Sequence, residues 1–116
     1  MNQSIKIFKI LSDETRLRVV ILLAQQELCV CQLSGIMDVL QPKVSQILAK
    51  LRDTGLVMDK RKEKFVFYSL KNENKLLMSI INNILENLDD YPLLCKDQNG
   101  IADKEKYLRQ CRVNCS

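Results

Sequence analysis

Apolar positions in the first third of the chain recur at the spacing of amphipathic helices. The clearest stripe falls at i, i+3, i+4 and i+7 of one segment, and its members are Leu17, Val20, Ile21 and Ala24. This spacing places all four side chains on one face of a helix. Ser12 and Asp13 supply side-chain caps for its start. We predict a shorter amphipathic helix before it, and a third helix from near Cys29 to about Met37.

The next predicted helix begins at Gln41-Pro42, because proline is tolerated at the first helical position, and it ends at Gly55. Its buried stripe consists of Val44, Ile47, Leu48 and Leu51. The opposite face carries hydrogen-bonding, cationic and small residues, namely Gln41, Lys43, Ser45, Gln46, Ala49 and Lys50. Such a face suits the major groove of DNA, where base edges present donors and acceptors.

Two strands are predicted over residues 56–58 and 65–70, with the charged segment 59–64 as the tip of a hairpin. Phosphate contacts position a protein on DNA without reading its sequence. The candidates for such contacts on or beside the hairpin are Lys60, Arg61, Lys62, Lys64 and Tyr68. A charge run is also typical of a solvated loop. Its place directly after the polar-faced helix favours the DNA interpretation.

The longest helix is predicted from Asn72 to about Leu88, and its apolar stripe is wider than one buried face of about 100°. A stripe this wide can pack on the body of the protein and on a second copy, so we expect a dimer; burial within the monomer is the alternative. The element order predicts a mainly α fold with a small β-hairpin, a dimeric winged helix-turn-helix. Residues 1–90 would form the DNA-binding and dimerisation domain, and residues 91–116 a cysteine-containing C-terminal tail with one short helix over 102–109.

Composition changes this interpretation only slightly. A length of 116 residues suits one domain, and a net charge of +4 is weak support for a nucleic-acid partner. No segment approaches the ~18 apolar residues of a membrane span, and the N-terminus lacks the features of a signal peptide. We therefore expect a cytoplasmic protein with no membrane partner, in which thiols stay reduced.

Cysteine is the main source of candidate chemistry, because the chain has five cysteines and no histidine. Cys29 and Cys31 stand at the predicted start of the third helix, where the helix dipole lowers thiol pKa and favours thiolates that bind soft metals. In a regular helix they would point about 200° apart, so we expect metal binding to unwind this turn. Two small buried thiols are the alternative. The tail adds Cys95, Cys111 and Cys115, of which the last two are four residues apart and would share a helix face.

Four segments, 8–17, 27–33, 41–51 and 55–57, resemble motifs of the ArsR/SmtB family of metal-responsive repressors. Segment 27–33 is similar to the thiolate metal box of its arsenic, antimony and cadmium sensors. The resemblance covers about residues 5–88. It implies a homodimeric repressor of a metalloid-resistance operon that needs no cofactor to bind an imperfect palindrome in double-stranded DNA. Binding of As(III) or Sb(III), or of another thiophilic metal ion, to cysteine thiolates would release it.

Two departures from the family pattern leave alternatives open. Ser34 stands where arsenic sensors often carry a third cysteine, and the short N-terminus lacks the additional ligand pair of cadmium and lead sensors. The tail cysteines would then complete the site of Cys29 and Cys31, form a separate three-thiol site, or have no ligand role; a two-coordinate site is a further alternative.

The same cysteines also suit functions other than metalloid sensing. A redox-sensing or cadmium/lead-sensing repressor is the main alternative. A thiol oxidoreductase is disfavoured because the chain has no C-x-x-C motif and no histidine, so we expect no enzyme. A dimerisation module without DNA binding is disfavoured by the polar, cationic face of residues 41–50.

Overall fold

The computed structural model describes the backbone of residues 2–114 and the side chains of residues 3–110. The helices are α1 (Asn2–Leu11), α2 (Glu14–Gln25), α3 (Val30–Met37), α4 (Gln41–Asp53), α5 (Lys75–Glu86), α6 (Pro92–Gly100) and α7 (Lys104–Asn114). The strands are β1 (Leu28–Cys29), β2 (Val57–Lys62) and β3 (Phe65–Leu70), and short 3-10 turns cover Leu88–Asp90 and Ile101–Asp103. Within the described range, no helix combines the length and the apolar character needed to cross a membrane.

The elements form a winged helix-turn-helix, as the sequence predicts. Helices α3 and α4 are joined by a short turn in which Asp38 takes the left-handed conformation (φ 56°). Strands β2 and β3 form the hairpin of the wing, and β1 adds to the far side of β3, so that the antiparallel sheet has the order β1-β3-β2.

Local capping explains where two helices begin. The carboxylate of Asp13 accepts a hydrogen bond from the Arg16 N–H at 2.9 Å, which starts α2 at Glu14 as the sequence predicts. The Asn74 side chain accepts a hydrogen bond from the Leu77 N–H at 2.9 Å, so α5 begins at Lys75 rather than at Asn72. It also ends earlier than predicted, at Glu86, and the chain continues into a 3-10 turn.

Strand β2 of the hairpin extends further than predicted. The charged segment 59–64, predicted as the tip of the hairpin, lies mostly in strand β2, because Lys62 pairs with Phe65 and only Glu63 and Lys64 form the turn. Strand β1 was not predicted. Leu28 and Cys29 pair with Tyr68 and Phe67 of β3.

One core underlies both the helices and the sheet. In the predicted apolar stripe of α2, Val20 and Ile21 are buried and Leu17 and Ala24 are half-buried. Val19 and Leu22, outside this stripe, are fully buried as well. The predicted inner stripe of α4 packs on α2. In α5 Leu77, Ile81 and Ile84 are buried, while Leu76, Ile80 and Leu85 of the same wide stripe are only half-buried.

Residues 92–114 form two α-helices, α6 and α7, so the prediction of one short helix over 102–109 is wrong. A buried ion pair holds α6 in place: Nε and Nη2 of Arg18 each donate to a carboxylate oxygen of Asp97 at 2.9 Å. The same Arg18 donates to the Met37 carbonyl oxygen at 2.9 Å, which joins α2, α3 and α6. The side-chain hydrogen bond to Asp97 raises the pKa of Arg18 above its ordinary value. Leu94 adds apolar contacts to the main core.

The functional division into a domain over 1–90 and a tail over 91–116 stays a prediction. In the structure the two ranges share one core, since Leu94, Cys95 and Ile101 pack against the same cluster as α2 and α4.

Replacing Asp97 by alanine is expected to lower the free energy of unfolding by about 3–5 kcal/mol, because it leaves the Arg18 guanidinium buried without its carboxylate. Chemical denaturation measures this loss. Asp59→Ala is the matched control, since Asp59 is exposed and 3.4 Å from Arg52, and it should cost less than about 1 kcal/mol. Equal losses in the two variants would contradict a structural role for the buried pair.

Candidate DNA-binding surface and thiol site

Helix α4 turns its polar face outward. The five side chains predicted to contact DNA from this helix are all exposed, and they are Gln41, Lys43, Ser45, Gln46 and Lys50. The opposite stripe is buried under them. The geometry therefore leaves a polar, cationic helix face that a DNA groove can receive; the contacts themselves stay a prediction.

A cleft beside this face adds a residue that the sequence analysis missed. About 280 Å³ of space is lined by Asp13, Arg16, Lys43, Gln46, Ile47 and Lys50. Arg16 is half-buried and held by hydrogen bonds to the carbonyl oxygens of Ile10 and Lys9, each at 3.1 Å. Three cationic side chains at one cleft suit a phosphate group. Segment 8–17, which contains Arg16, resembles a family motif, but its sequence pattern alone predicts only the start of a helix.

The Asp13 carboxylate in the same cleft is the cap of α2. The backbone hydrogen bond from Arg16 holds the pKa of Asp13 below its ordinary value. It therefore keeps its negative charge beside the cations, so the cleft is not uniformly positive.

The wing cations differ in their surroundings. Lys60, Arg61 and Lys62 are exposed along β2, and Lys64 is exposed in the turn. Lys62 is held against the body, because its Nζ lies 3.4 Å from Glu27 and 5.4 Å from the centre of the Phe67 ring. Tyr68 is half-buried against the main core and pairs with Leu28, so it lies away from the hairpin turn.

Cys29 is the last residue of strand β1 and caps α3, which begins at Val30, next to the predicted start near Cys29. Its backbone is extended (φ −98°, ψ 174°), its side chain is only 2% exposed, and it stands opposite Phe67 of the wing. Its N–H donates to Oε1 of Gln32 at 3.1 Å, as in a capping box. The angle of about 200° between the side chains of Cys29 and Cys31, which a regular helix would give, therefore does not apply to them.

Burial raises the pKa of the Cys29 thiol. Desolvation is the largest cause; the backbone N–H groups of Gln32 and Cys31 lower the pKa, and the Glu105 carboxylate raises it further. The expected lowering by the helix N-terminus is thus outweighed at Cys29.

Cys31 occupies the first turn of α3 and is half-buried. It is disulfide-bonded, whereas Cys29 and Cys95 are free thiols. Nε2 of Gln41 donates a hydrogen bond to its Sγ at 3.8 Å. The sulfur of Cys31 therefore touches the first residue of α4.

Helix α7 covers the thiol pair from the other side. Leu108 packs in one cluster with Cys29 and Phe65, and Cys31 and Phe67 lie against this cluster. Nε2 of Gln32, a buried polar side chain, donates to the Lys104 carbonyl oxygen at 3.3 Å. At Gly35 the ring of Tyr107 fills the space that a Cβ would need, so the two helices approach closely. Sequence analysis missed this role of Gln32 because a lone polar residue in an apolar segment gives no pattern.

The remaining candidate ligands are spread over the tail. Cys95 is half-buried in α6 against the main core, not in the cluster of Cys29. Cys111 belongs to α7, but its side chain and the whole of Cys115 lie outside the described residues. Among the side chains that the structure describes, no three potential metal ligands cluster together. Ser34, at the position of the family's third cysteine, donates its hydroxyl to the Val39 carbonyl oxygen at 2.6 Å and ties the helix-turn-helix turn.

Comparisons with known proteins agree with this architecture. The family model for bacterial regulatory proteins of the arsR family matches residues 13–59. The arsenic resistance transcriptional regulator ArsR2 of Pseudomonas putida (strain KT2440) is 38% identical over 100 residues, which cover 81% of this chain and 87% of that protein. The chain belongs to the arsR family of bacterial regulatory proteins. This confirms the family resemblance; because the family consists of transcriptional regulators, it also agrees with the expectation of no enzyme.

Two further comparisons concern a relative by sequence and a solved structure. The arsenical resistance operon repressor of Escherichia coli K12 is 52% identical over 67 residues, which span just over half of each protein, 57% in both cases. The solved structure of reduced HlyU from Vibrio cholerae N16961 has a TM-score of 0.65 and 30% sequence identity, and covers 72% of this chain and 85% of that one. The winged helix is thus shared over most of the chain.

The reactivity of Cys29 should report its raised pKa. A thiol is neutral when protonated, so a raised pKa means that the reactive thiolate forms only at higher pH than in the unfolded chain. Iodoacetamide alkylation of the reduced protein, followed by mass spectrometry, should give a pH midpoint at Cys29 above that of the same residue in concentrated urea. The stability that Cys29 contributes should be present below the ordinary thiol pKa and lost as pH rises through the raised one. Identical midpoints in the folded and unfolded chains would contradict this.

Proposed function

We propose that this protein is a homodimeric repressor of a metalloid-resistance operon, released from its operator when As(III) or Sb(III) binds cysteine thiolates. The observation that carries the proposal is the place of Cys29 and Cys31. One pairs with the wing and the other touches the start of α4, so the two cysteines together contact both elements that a winged helix presents to DNA. The names of the two relatives, an arsenic resistance regulator and an arsenical resistance repressor, support the same assignment.

The operator contacts are proposed for the exposed face of α4 and for the wing. Gln41, Lys43, Ser45, Gln46 and Lys50 would enter the major groove. Arg16 from the neighbouring cleft and the cations Lys60, Arg61, Lys62 and Lys64 would contact phosphates. We give Tyr68 a supporting role beside the wing, because it is half-buried against the core.

A second copy of the chain is the proposed partner of the helices that flank the core. Ile5 and Phe8 of α1 are 50% and 56% exposed and lie three residues apart on one helix face. Leu76, Ile80 and Leu85 of α5 are only half-buried. Covering these side chains in a two-fold dimer would place two α4 helices on one imperfect palindrome, with half-sites ~34–36 Å apart or a multiple of that distance.

The third thiolate is proposed to come from α7. Thiolates are the ligands that soft ions prefer, and As(III) and Sb(III) usually take three. Ser34 is committed to the Val39 carbonyl oxygen, and Cys95 lies in a different cluster from Cys29. Cys111 follows Leu108 by three residues in α7, and residues three apart share a helix face. Because Leu108 packs on Cys29, we favour Cys111 over Cys95; Cys115 and a two-coordinate site remain outcomes of the test.

A redox-sensing repressor is the second candidate, and the disulfide at Cys31 favours it. Oxidation of two thiols by hydrogen peroxide forms one disulfide and two molecules of water. The contact of the Cys31 sulfur with Gln41 is seen in this disulfide-bonded form, and reduction would change the sulfur that Gln41 contacts. Cadmium(II) and lead(II) are thiophilic as well, so the same pair suits them.

Operator release should depend on the cysteine pair. Fluorescence anisotropy of a labelled operator is expected to show that arsenite weakens binding by the reduced wild type about 5–150-fold. Cys29→Ser and Cys31→Ser should abolish release, since a hydroxyl is a poor ligand for a soft ion. Cys111→Ser should weaken it, and Cys95→Ser, the matched control, should release like wild type. Antimonite, cadmium, lead and peroxide are measured alongside to separate the candidates. If arsenite still releases a variant that lacks both Cys29 and Cys31, the metalloid site must lie in the tail instead.

We expect the lysines of the wing to contribute to operator binding through their charge alone. In the variant Lys60→Ala/Lys64→Ala, operator affinity should fall and its salt dependence should weaken by about one unit of slope in log K against log salt for each lost phosphate contact. Lys96→Ala, at an exposed lysine of α6, removes one positive charge outside the wing; as the control it should keep the wild-type slope. An unchanged slope in the wing variant would show that these lysines point into solvent in the complex.

A further inference from the structure

The contact between Gln41 and Cys31, whose sulfur is disulfide-bonded in the structure, connects the cysteine pair directly to helix α4. Nε2 of Gln41 donates to Sγ of Cys31 at 3.8 Å, within reach of a hydrogen bond to sulfur. Gln41 is the first residue of α4, and Cys31 lies in the first turn of α3. A second hydrogen bond at this turn, from Ser34 to Val39, holds the backbone but touches neither thiol.

The chemistry of the amide allows Gln41 to bind sulfur and a base together. A glutamine side chain has two N–H donors and a carbonyl acceptor. The contact with Cys31 uses one donor. A bidentate contact between glutamine and adenine needs one N–H and the carbonyl oxygen, and both are still available. The sulfur therefore does not compete with DNA; it restricts the rotation of an otherwise exposed side chain.

We propose that Cys31 orients the Gln41 amide for operator binding, and that a metalloid weakens DNA binding partly by drawing this sulfur away from Gln41. The second half rests on the proposed function; the first half needs only DNA binding. Gln41 is thus a positioning contact as well as an operator contact. Binding of As(III) or Sb(III) to Cys31 would move its sulfur away from the Gln41 amide, which would then lose its fixed orientation.

A double-mutant cycle tests the orienting role without any metalloid. Operator affinities of the reduced wild type, Cys31→Ala, Gln41→Ala and the double variant are measured by anisotropy with a phosphine reductant present. Each single substitution should weaken binding, and the double variant should bind about three- to tenfold more tightly than additivity requires. Gln41 is exposed and Cys31 half-buried, so thermal unfolding by circular dichroism should show folded variants.

Lys43 supplies the matched control, because it is exposed on the same turn of α4 and is predicted to contact DNA. The cycle of Cys31→Ala with Lys43→Ala should be additive. Additivity in the Gln41 cycle would overturn the proposal, as would an equal coupling to Lys43.

Arsenite then tests the second half. In Gln41→Ala, calorimetry should show that arsenite binds at least as tightly as to the wild type, because no contact to Gln41 has to be broken, but the ratio of operator affinities without and with arsenite should fall at least about threefold. A wild-type ratio in this variant would overturn the transmission through Gln41. If arsenite fails to release the wild type at all, the proposed function fails, and the cycle still decides whether Cys31 orients Gln41.

Discussion

The change from strand to helix at Cys29 is the constraint on which the position of the DNA-facing elements depends. As the last residue of β1, Cys29 pairs with Phe67 and so fixes the start of α3 against the wing. As the cap of α3, it is held by Gln32, whose amide also reaches α7. Helix α4 follows α3 through a turn tied by Ser34. A displacement at this one residue therefore moves the wing, α3 and α7 relative to one another.

Local patterns predict the helix-turn-helix well because its signals are contiguous. The α4 stripe, its proline start and the Asp13 cap each lie within a few residues of the element that they determine. The tail helices depend instead on an ion pair between residues 79 positions apart, and no periodicity reveals that Arg18 will meet Asp97. Strand β1 has only two residues, too short for an alternating pattern. The cysteine pair was found as a motif, but its contacts with the wing and α7 arise only from tertiary packing.

Burial of Cys29 shapes what the proposed site can bind. A helix N-terminus favours a thiolate, yet here desolvation under Phe65 and Leu108 is the stronger effect, so the thiol holds its proton. A ligand that replaces this proton must supply a strong bond to sulfur, which soft ions do and weakly bound hard ions do not. A ligand that binds Cys29 would also have to displace α7, because Leu108 of this helix packs against the Cys29 thiol. In the proposed site, the burial of Cys29 would therefore account both for selectivity towards soft ions and for a conformational response to their binding.

Magnitudes limit how much of this response one contact can carry. A hydrogen bond typically contributes about 0.5–1.5 kcal/mol, whereas allosteric coupling typically amounts to about 1–3 kcal/mol. The coupling of about three- to tenfold expected for the contact of Gln41 lies within the first range. Gln41 alone therefore accounts for a weak release, and a strong one needs the second route, through the pairing of Cys29 with Phe67. The two routes begin at different sulfurs, so a ligand that bridges both cysteines engages them together, whereas a change at Cys31 alone engages only the first.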